Sequence, residues 1–273
     1  HQSRRKKYNL RRWIFLLILG ISLIFTGFYL KNKIAFYYAM HFHKHTEQNL
    51  KNSKTEAARI EKIITEYNDK TFGFDISHYQ KKEDIKWDSL TIANDGINLE
   101  FVVMRATMGK KKKDKHFDEF WEKAKENKLI RGAYHFYRAD EDPVMQANNY
   151  LESVKLETGD LRPVLDIERV PRRKSHEKFI EDLKVWLKIV EEKYGKKPII
   201  YTYYHYYKDY LKGEIDDYPL WLANYNDVMM PSPEDDWKMW QFTENGIVKG
   251  INTKVDLNIY NGNLWSFKSL TLD

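Results

Sequence analysis

The sequence predicts an α/β fold, a modified (β/α) barrel with an irregular second half, preceded by an N-terminal transmembrane helix and a helical stalk. Three observations lead to this prediction. Eight short apolar segments have the pattern of β-strands. Helical patterns lie between the early strands, whereas the later connections are too short for full helices. An 18-residue segment without charge stands near the start of the chain.

The first 30 residues combine a basic arm, residues 1–12, with the uncharged segment 13–30. The arm contains six Lys or Arg residues and no acid. As a helix the segment would span about 27 Å, close to the roughly 30 Å hydrocarbon core of a bilayer. A cleaved signal peptide is the alternative, but it needs a small-x-small cleavage site, which residues 31–38 lack. We therefore expect a retained single-pass anchor, with everything after it on the extracytoplasmic (periplasmic or extracellular) side.

Residues 31–70 are polar and are predicted to form a juxtamembrane stalk. One helical face carries an apolar stripe of Ala57, Ile60, Ile63, Ile64 and Tyr67. Three alternating histidines, His41, His43 and His45, would approach a common metal ion only in an extended chain, so we interpret them as solvated surface.

Residues 71–273 form the predicted main domain, to which the motifs described below assign a catalytic role. Its strands are predicted within 72–76, 100–107, 132–138, 162–168, 197–203, 219–225, 238–243 and 255–260. Amphipathic helices follow the second, third and fourth strands; the one after the third begins at Pro143, and the one after the fourth ends at Gly195.

Composition narrows the possible functions. The formal net charge is +6, and the basic arm alone supplies six positive charges. The remainder is therefore nearly balanced, which argues against nucleic-acid binding. No cysteine is present, so disulfides and thiolate metal sites are excluded. The 19 Tyr and 8 Trp residues can fill a core, and they also suit stacking on sugar rings.

The segment 162–168 carries two carboxylates, Asp166 and Glu168, at the end of an apolar strand pattern. Two residues apart on a strand, they would face the same side about 6.6 Å from each other. Like charges this close push their pKa values apart, so one carboxyl can stay protonated beside an ionised neighbour. The alternative is an acidic pair that faces water or pairs with nearby arginines.

Several predicted strands end in polar or aromatic residues. In parallel barrels the active site is built at the C-terminal rim from the ends of several strands. This recurrence favours a catalytic interpretation of the residues concerned: Asp75, Tyr134, Glu168, Tyr201, Trp221, Gln241 and Asp256.

An ordered set of short motifs resembles glycoside hydrolase family 25, the lysozymes that cleave between N-acetylmuramic acid and N-acetylglucosamine in peptidoglycan. The motifs are FDISHYQ (74–80), RAT-x-G (105–109), GAYHF (132–136), LDIE (165–168), IYT (200–202), LWLA-x-Y (220–225), WQFT (240–243) and VDLN (255–258). The resemblance covers about residues 72–262. It implies a modified barrel, peptidoglycan glycan strands as the partner, and neither a metal nor an organic cofactor.

By this resemblance the acidic site consists of Glu168, Asp166, Asp75 and Asp256. Glu168 would be the general acid, and Asp166 would orient the substrate's 2-acetamido group as an internal nucleophile. Substrate-assisted hydrolases are exceptions to the two-carboxylate rule, so carboxylate spacing does not predict the stereochemistry here. Substrate contacts are expected from Tyr134, Tyr201, Trp221 and Gln241, for which barrel packing is the alternative.

Two features depart from the family pattern: Met108 replaces a frequent acid, and a lysine run, residues 110–113 with Lys115, replaces an uncharged loop. Both belong to the rim of the groove rather than to the central acids. Two other functions stay open at this point, a non-catalytic glycan-binding module and a hydrolase of chitin-like N-acetylglucosamine polymers.

Overall fold

The computed structural model of the protein describes residues 12–27, 30–31, 50–92 and 96–273. The chain divides into two compact units, His1–Glu47 and Gln48–Asp273. Most of the predicted basic arm and the three stalk histidines lie outside the described residues.

The predicted transmembrane anchor over residues 13–30 is wrong. The first described helix covers residues 12–27. In the part of the chain that the structure describes, no helix has both the length and the apolar character needed to cross a membrane.

The second unit is built on a closed barrel of eight strands. In chain order they are β1 (Thr71–Ile76), β2 (Phe101–Met108), β3 (Ile130–Phe136), β4 (Val164–Asp166), β5 (Ile199–Tyr203), β6 (Leu220–Ala223), β7 (Trp237–Gly246) and β8 (Val255–Tyr260). Neighbours in sequence are neighbours in the sheet, and β1 pairs with both β2 and β8 to close it. Short strands Thr91–Ile92, Ile97–Asn98 and Lys112–Lys113 are additional.

The last strand, β8, differs from the all-parallel barrel expected from the sequence. It is antiparallel to both β7 and β1, whereas the other pairs in the barrel are parallel. The reason lies in the connection, because only residues 247–254 join β7 to β8. A parallel crossover needs a dozen or more residues, so a connection this short returns the chain antiparallel.

Helices cover the outside of the barrel. They are α1 (Leu50–Glu66), α2 (Phe117–Glu126), α3 (Pro143–Ser153) and α4 (His176–Tyr194), with short helices at Tyr204–Tyr206, Leu264–Phe267, Lys82–Asp84, Trp87–Ser89 and Lys268–Leu270 and a π-turn at Tyr207–Leu211. Asp142 caps α3 by accepting from the Met145 amide, and Gly195 ends α4 with a φ of 68°. A left-handed residue at this position is least strained as glycine.

Helix α1, within the predicted stalk, belongs to the second unit and packs against its barrel. Ile63 is fully buried. The Arg59 guanidinium donates to the Phe242 carbonyl at 2.7 Å, and the Tyr67 hydroxyl donates to the Met229 carbonyl at 2.6 Å. This part of the stalk region therefore supports β7 and the loop before it.

Candidate active site

Four carboxyl groups approach the C-terminal rim of the parallel strands. Asp75 is the second-last residue of β1, and Asp166 is the last residue of β4. Asp256 is the second residue of β8 and lies directly opposite Asp75, because the antiparallel direction of β8 brings its start to this rim. Glu168 lies two residues beyond the end of β4, in the loop rather than in the strand.

Asp75 is held by a buried amide network. Its Oδ2 accepts from Gln241 Nε2 at 2.6 Å and from Asn258 Nδ2 at 2.7 Å. The Trp221 indole in turn donates to Asn258 Oδ1 at 3.0 Å. The Gln241 side chain is itself held in place. Its Oε1 accepts from the Tyr201 hydroxyl at 2.8 Å and also from the Tyr225 hydroxyl. The orientation of Asp75 therefore depends on side chains from four other strands or strand ends.

Asp75 and Asp256 share a hydrogen bond between their carboxyl groups. Burial raises the pKa of Asp75 to about 6, while its bonds from Asn258, Gln241 and Asp256 oppose that rise. For Asp256, burial and then the charge of Asp75 raise the pKa well above its usual range. The shared proton therefore resides on Asp256, which donates it toward Asp75.

Asp166 is buried at 5% exposure, and its Oδ1 has no hydrogen-bond partner within the described residues. Burial raises its pKa strongly, and the charges of Glu168 and Asp75 add to the rise, whereas Arg105 opposes it. Arg105 is itself paired with Asp114 through Nε at 3.1 Å and Nη2 at 2.9 Å. An unpartnered buried carboxyl oxygen is costly, so it marks a place where a ligand's donor would be accommodated.

Glu168 is half-buried at the mouth of the barrel. Burial raises its pKa to about 7; the nearby Arg169 and a hydrogen bond with Tyr203 oppose the rise, and the charge of Asp75 adds to it. A carboxyl with this pKa is protonated in a useful fraction near neutrality, as a general acid requires.

The residues predicted to contact substrate fall into two groups. Tyr134 is partly exposed beside the acids, and burial, followed by the charges of Asp166 and Asp75, raises its pKa. Tyr201, Trp221 and Gln241 are at most 6% exposed and lie beneath the acids. We therefore expect Tyr134 to reach a sugar and the other three to position the carboxyls.

Sequence reasoning assigned no site role to Tyr203, nor to Asn258 and Tyr225, which end the quoted motifs VDLN and LWLA-x-Y. Asn258 follows Asp256 by two residues and so shares its face of β8, which was an available signal. Tyr203 likewise follows Tyr201 by two residues on β5. Tyr225 lies beyond the end of β6, and only the folded chain brings its hydroxyl to Gln241.

The cluster is suited to proton transfer. No group of three or more potential ligands in the described ranges has an arrangement that would hold a metal ion. The arrangement provides three groups. Glu168 is a carboxyl with a raised pKa at the barrel mouth, Asp166 Oδ1 is an oxygen unpartnered within the described residues behind it, and Asp75 and Asp256 form a hydrogen-bonded carboxyl pair at one side. Acid-assisted cleavage of a glycosidic bond uses a protonated carboxyl as proton donor beside a second group that stabilises the positive charge on the sugar.

Comparison with known proteins identifies the family. Residues 74–251 match the model of Glycosyl hydrolases family 25. A protein of Escherichia coli (strain K12) named YegX is 37% identical over 194 residues, which is 70% of this chain and 69% of that protein.

Solved structures give the same result. The structure of a family 25 glycosyl hydrolase from Bacillus anthracis superposes with a TM-score of 0.67 at 28% identity, covering 75% of this chain and 95% of that one. The bacterial lysozyme from Streptomyces coelicolor gives a TM-score of 0.66 at 26% identity, covering 74% and 97%. Together with the barrel and its acidic rim, these matches show that the chain belongs to glycosyl hydrolase family 25 and is a glycoside hydrolase.

Proposed function

We propose that this protein is a muramidase, which hydrolyses the β-1,4 bond between N-acetylmuramic acid and N-acetylglucosamine in peptidoglycan. The observation that carries the proposal is the cluster of four carboxyls at one rim, with a raised pKa of about 7 for Glu168. The similarity to the lysozyme of Streptomyces coelicolor supports the same substrate.

In this mechanism Glu168 donates its proton to the glycosidic oxygen as the bond from that oxygen to C1 breaks. The 2-acetamido carbonyl oxygen of the substrate attacks C1 and forms a cyclic intermediate. Asp166 Oδ1, which has no partner within the described residues, accepts the acetamido N–H and stabilises the charge that develops there. Water then attacks C1 as the bond from C1 to the acetamido oxygen breaks, and it gives its proton to the Glu168 carboxylate, which restores both the acid and the open acetamido group.

Asp75 and Asp256 support this reaction from one side of the groove. Their hydrogen-bonded pair holds a negative charge next to the developing positive charge on the sugar ring. We infer an extracytoplasmic site of action, because the peptidoglycan substrate lies outside the cytoplasmic membrane.

Digestion of purified peptidoglycan by the full chain, followed by mass spectrometry of the products, tests the proposal. New reducing ends at N-acetylmuramic acid are expected. Glu168→Gln should lower kcat by about 10²- to 10⁴-fold with an unchanged fold, because the proton donor is lost while the shape is kept. Glu181→Gln on the exposed face of α4 is the matched control. Full activity of the Glu168 variant, or faster cleavage of chitin oligomers than of muropeptides, would overturn the assignment.

A further inference from the structure

The lysine run that departs from the family pattern forms an ordered hairpin at the rim. Strand β2 turns at Gly109, whose φ is 57°, and returns as the short strand Lys112–Lys113. In this hairpin Lys112 lies opposite Met108, and Lys113 lies opposite Thr107. The lysines are thus presented on a pleated scaffold and not on an irregular loop.

Because the strand is pleated, the neighbouring side chains of Lys112 and Lys113 point to opposite faces of the sheet. The Thr107 hydroxyl bonds His135 Nδ1 at 2.7 Å, on the outer, helix-covered side of the sheet. Lys113 faces the same way and pairs with Asp118 of α2 at 3.1 Å. Successive residues of a strand alternate, so Met108 and its partner Lys112 face the groove.

Hydrogen bonds join this hairpin to the loop after β3, and that loop in turn to the loop after β4. The Glu141 carboxylate accepts from the Lys110 amide at 2.8 Å, which connects the loop after β3 to the hairpin. The adjacent Asp140 accepts from the amides of Arg172 at 3.1 Å and Arg173 at 2.9 Å, in the loop after β4. The cationic side chains of the hairpin and of the loop after β4 therefore occupy one continuous sector.

We call this sector the basic rim, defined as Lys110, Lys111, Lys112, Arg172 and Arg173. All five side chains are exposed, and within the described residues none of them forms an ion pair. Asp140 and Glu141 offset part of the charge, but their oxygens accept from backbone amides.

Other charged groups around the rim are already paired or lie behind it. Arg138 lies 3.9 Å from Glu141, Lys174 pairs with Asp182 at 2.6 Å, and Arg105 pairs with Asp114. The guanidinium of Arg169 lies 5.8 Å from the Phe136 ring, and Phe136 is opposite Met108 in the sheet. The sector therefore keeps an excess of positive charge at the edge of the groove that contains the acids.

We propose that the basic rim binds the carboxylates of the stem peptide on N-acetylmuramic acid, so that the enzyme prefers peptide-bearing glycan to bare glycan. This inference rests on the proposed muramidase function. The partner follows from charge complementarity and position, because the stem peptide is an anionic group attached to the sugar that the groove receives.

The test measures kcat/KM of the full chain on peptidoglycan with intact stems and on glycan strands from which an amidase has removed them. The variant Lys110→Gln, Lys111→Gln and Lys112→Gln should lose about 3- to 30-fold on the stem-bearing substrate and about twofold or less on the stripped one. The loss should shrink between about 0.01 M and about 0.15 M salt, because screening weakens exposed charge pairs. Arg172→Gln with Arg173→Gln should act in the same direction.

The matched control changes three lysines toward the opposite end of the barrel, Lys155, Lys188 and Lys193, to glutamine. It alters the net charge equally and should leave the substrate preference unchanged.

Equal losses on both substrates, or no loss on either, would overturn the basic rim as a stem-peptide site. Competition by a poly(glycerol phosphate) chain but not by free stem peptide would overturn it in favour of a phosphate polymer. Failure of the unmodified enzyme to cleave either substrate would instead reject the muramidase function and this inference with it.

Discussion

Two buried polar side chains on neighbouring strands, His135 on β3 and Asp166 on β4, have opposite surroundings. His135 is fully buried, with one ring nitrogen 2.7 Å from Thr107 Oγ1 and the other 3.2 Å from Gln146 Oε1. Asp166 is nearly as buried, yet its Oδ1 has no hydrogen-bond partner among the described residues. One polar group is satisfied by the fold, and the other is not.

The difference separates a structural role from a functional one. His135 faces the outer layer, stacked at 5.6 Å on Trp186 of α4, where buried polar groups must find protein partners. Burial lowers its pKa to about 4, so it is neutral and serves as a hydrogen-bonding core residue. Asp166 faces the barrel mouth, where a substrate can supply the missing donor.

The largest effect that tests this contrast is expected at Asp166. Asp166→Asn should lower kcat by about 10²- to 10³-fold, because an amide cannot stabilise the charge on the acetamido group. Thermal unfolding should show equal or greater stability, since the variant no longer buries an ionisable carboxyl. Near-normal kcat in steady-state assays on peptidoglycan would show that the unpartnered oxygen is not used.

The opposite outcome is expected at His135. His135→Leu should destabilise the protein by about 2–4 kcal/mol, because Thr107 loses its buried partner and Gln146 loses one of its bonds. The kcat of the folded fraction should stay close to that of the unmodified enzyme. Denaturant unfolding and activity at a temperature well below the transition provide the measurements, and a large fall in kcat without destabilisation would contradict the contrast.

Stability should also depend on pH through Glu168. Its pKa is raised from 4.5 to about 7 in the folded protein, so the native state binds this proton more tightly than the unfolded state. The free energy of unfolding therefore falls as pH rises through this interval. Glu168→Gln should remove that loss and be more stable than the unmodified enzyme by about 1–3 kcal/mol at about pH 8, with no difference at about pH 4. If the free energy of unfolding changed with pH in the same way in both proteins, the pKa of Glu168 would not be raised.

The smallest effect is expected in the network behind Asp75. The bonds from Asn258 and Gln241 lower the pKa of Asp75, so Asn258→Ala should raise it. The acidic limb of the kcat/KM profile should move to higher pH, with little change in the plateau. Asn261→Ala, an exposed position just beyond β8, is the control and should leave the profile unchanged. If the acidic limb of the Asn258→Ala profile stays at the same pH, Asn258 does not lower the pKa of Asp75.

The predicted strands and acids agree with the structure where the signal is local. The eight predicted segments overlap the eight barrel strands, and Asp75 and Asp166 lie at strand ends as expected. Glu168 was predicted on the strand but lies beyond it. Asp256 was expected to end its strand; it lies near the start, and the antiparallel direction of β8 brings it to the same rim.

By itself the sequence determined the alternation of strands and helices, the acidic residues and the family motifs, because each depends on residues close together in the chain. The direction of β8, the support of Asp75 by Gln241 and Asn258, and the unpartnered oxygen of Asp166 were decided only by the tertiary structure. The support of Asp75 arises when the barrel closes between β1 and β8, which are almost the whole domain apart in sequence, whereas the direction of β8 follows from its short connection to β7. Contacts between strands so far apart leave no local pattern in the sequence. The tertiary structure therefore determines that Asp75 is held by protein donors and that Asp166 Oδ1 is left for a donor of the substrate.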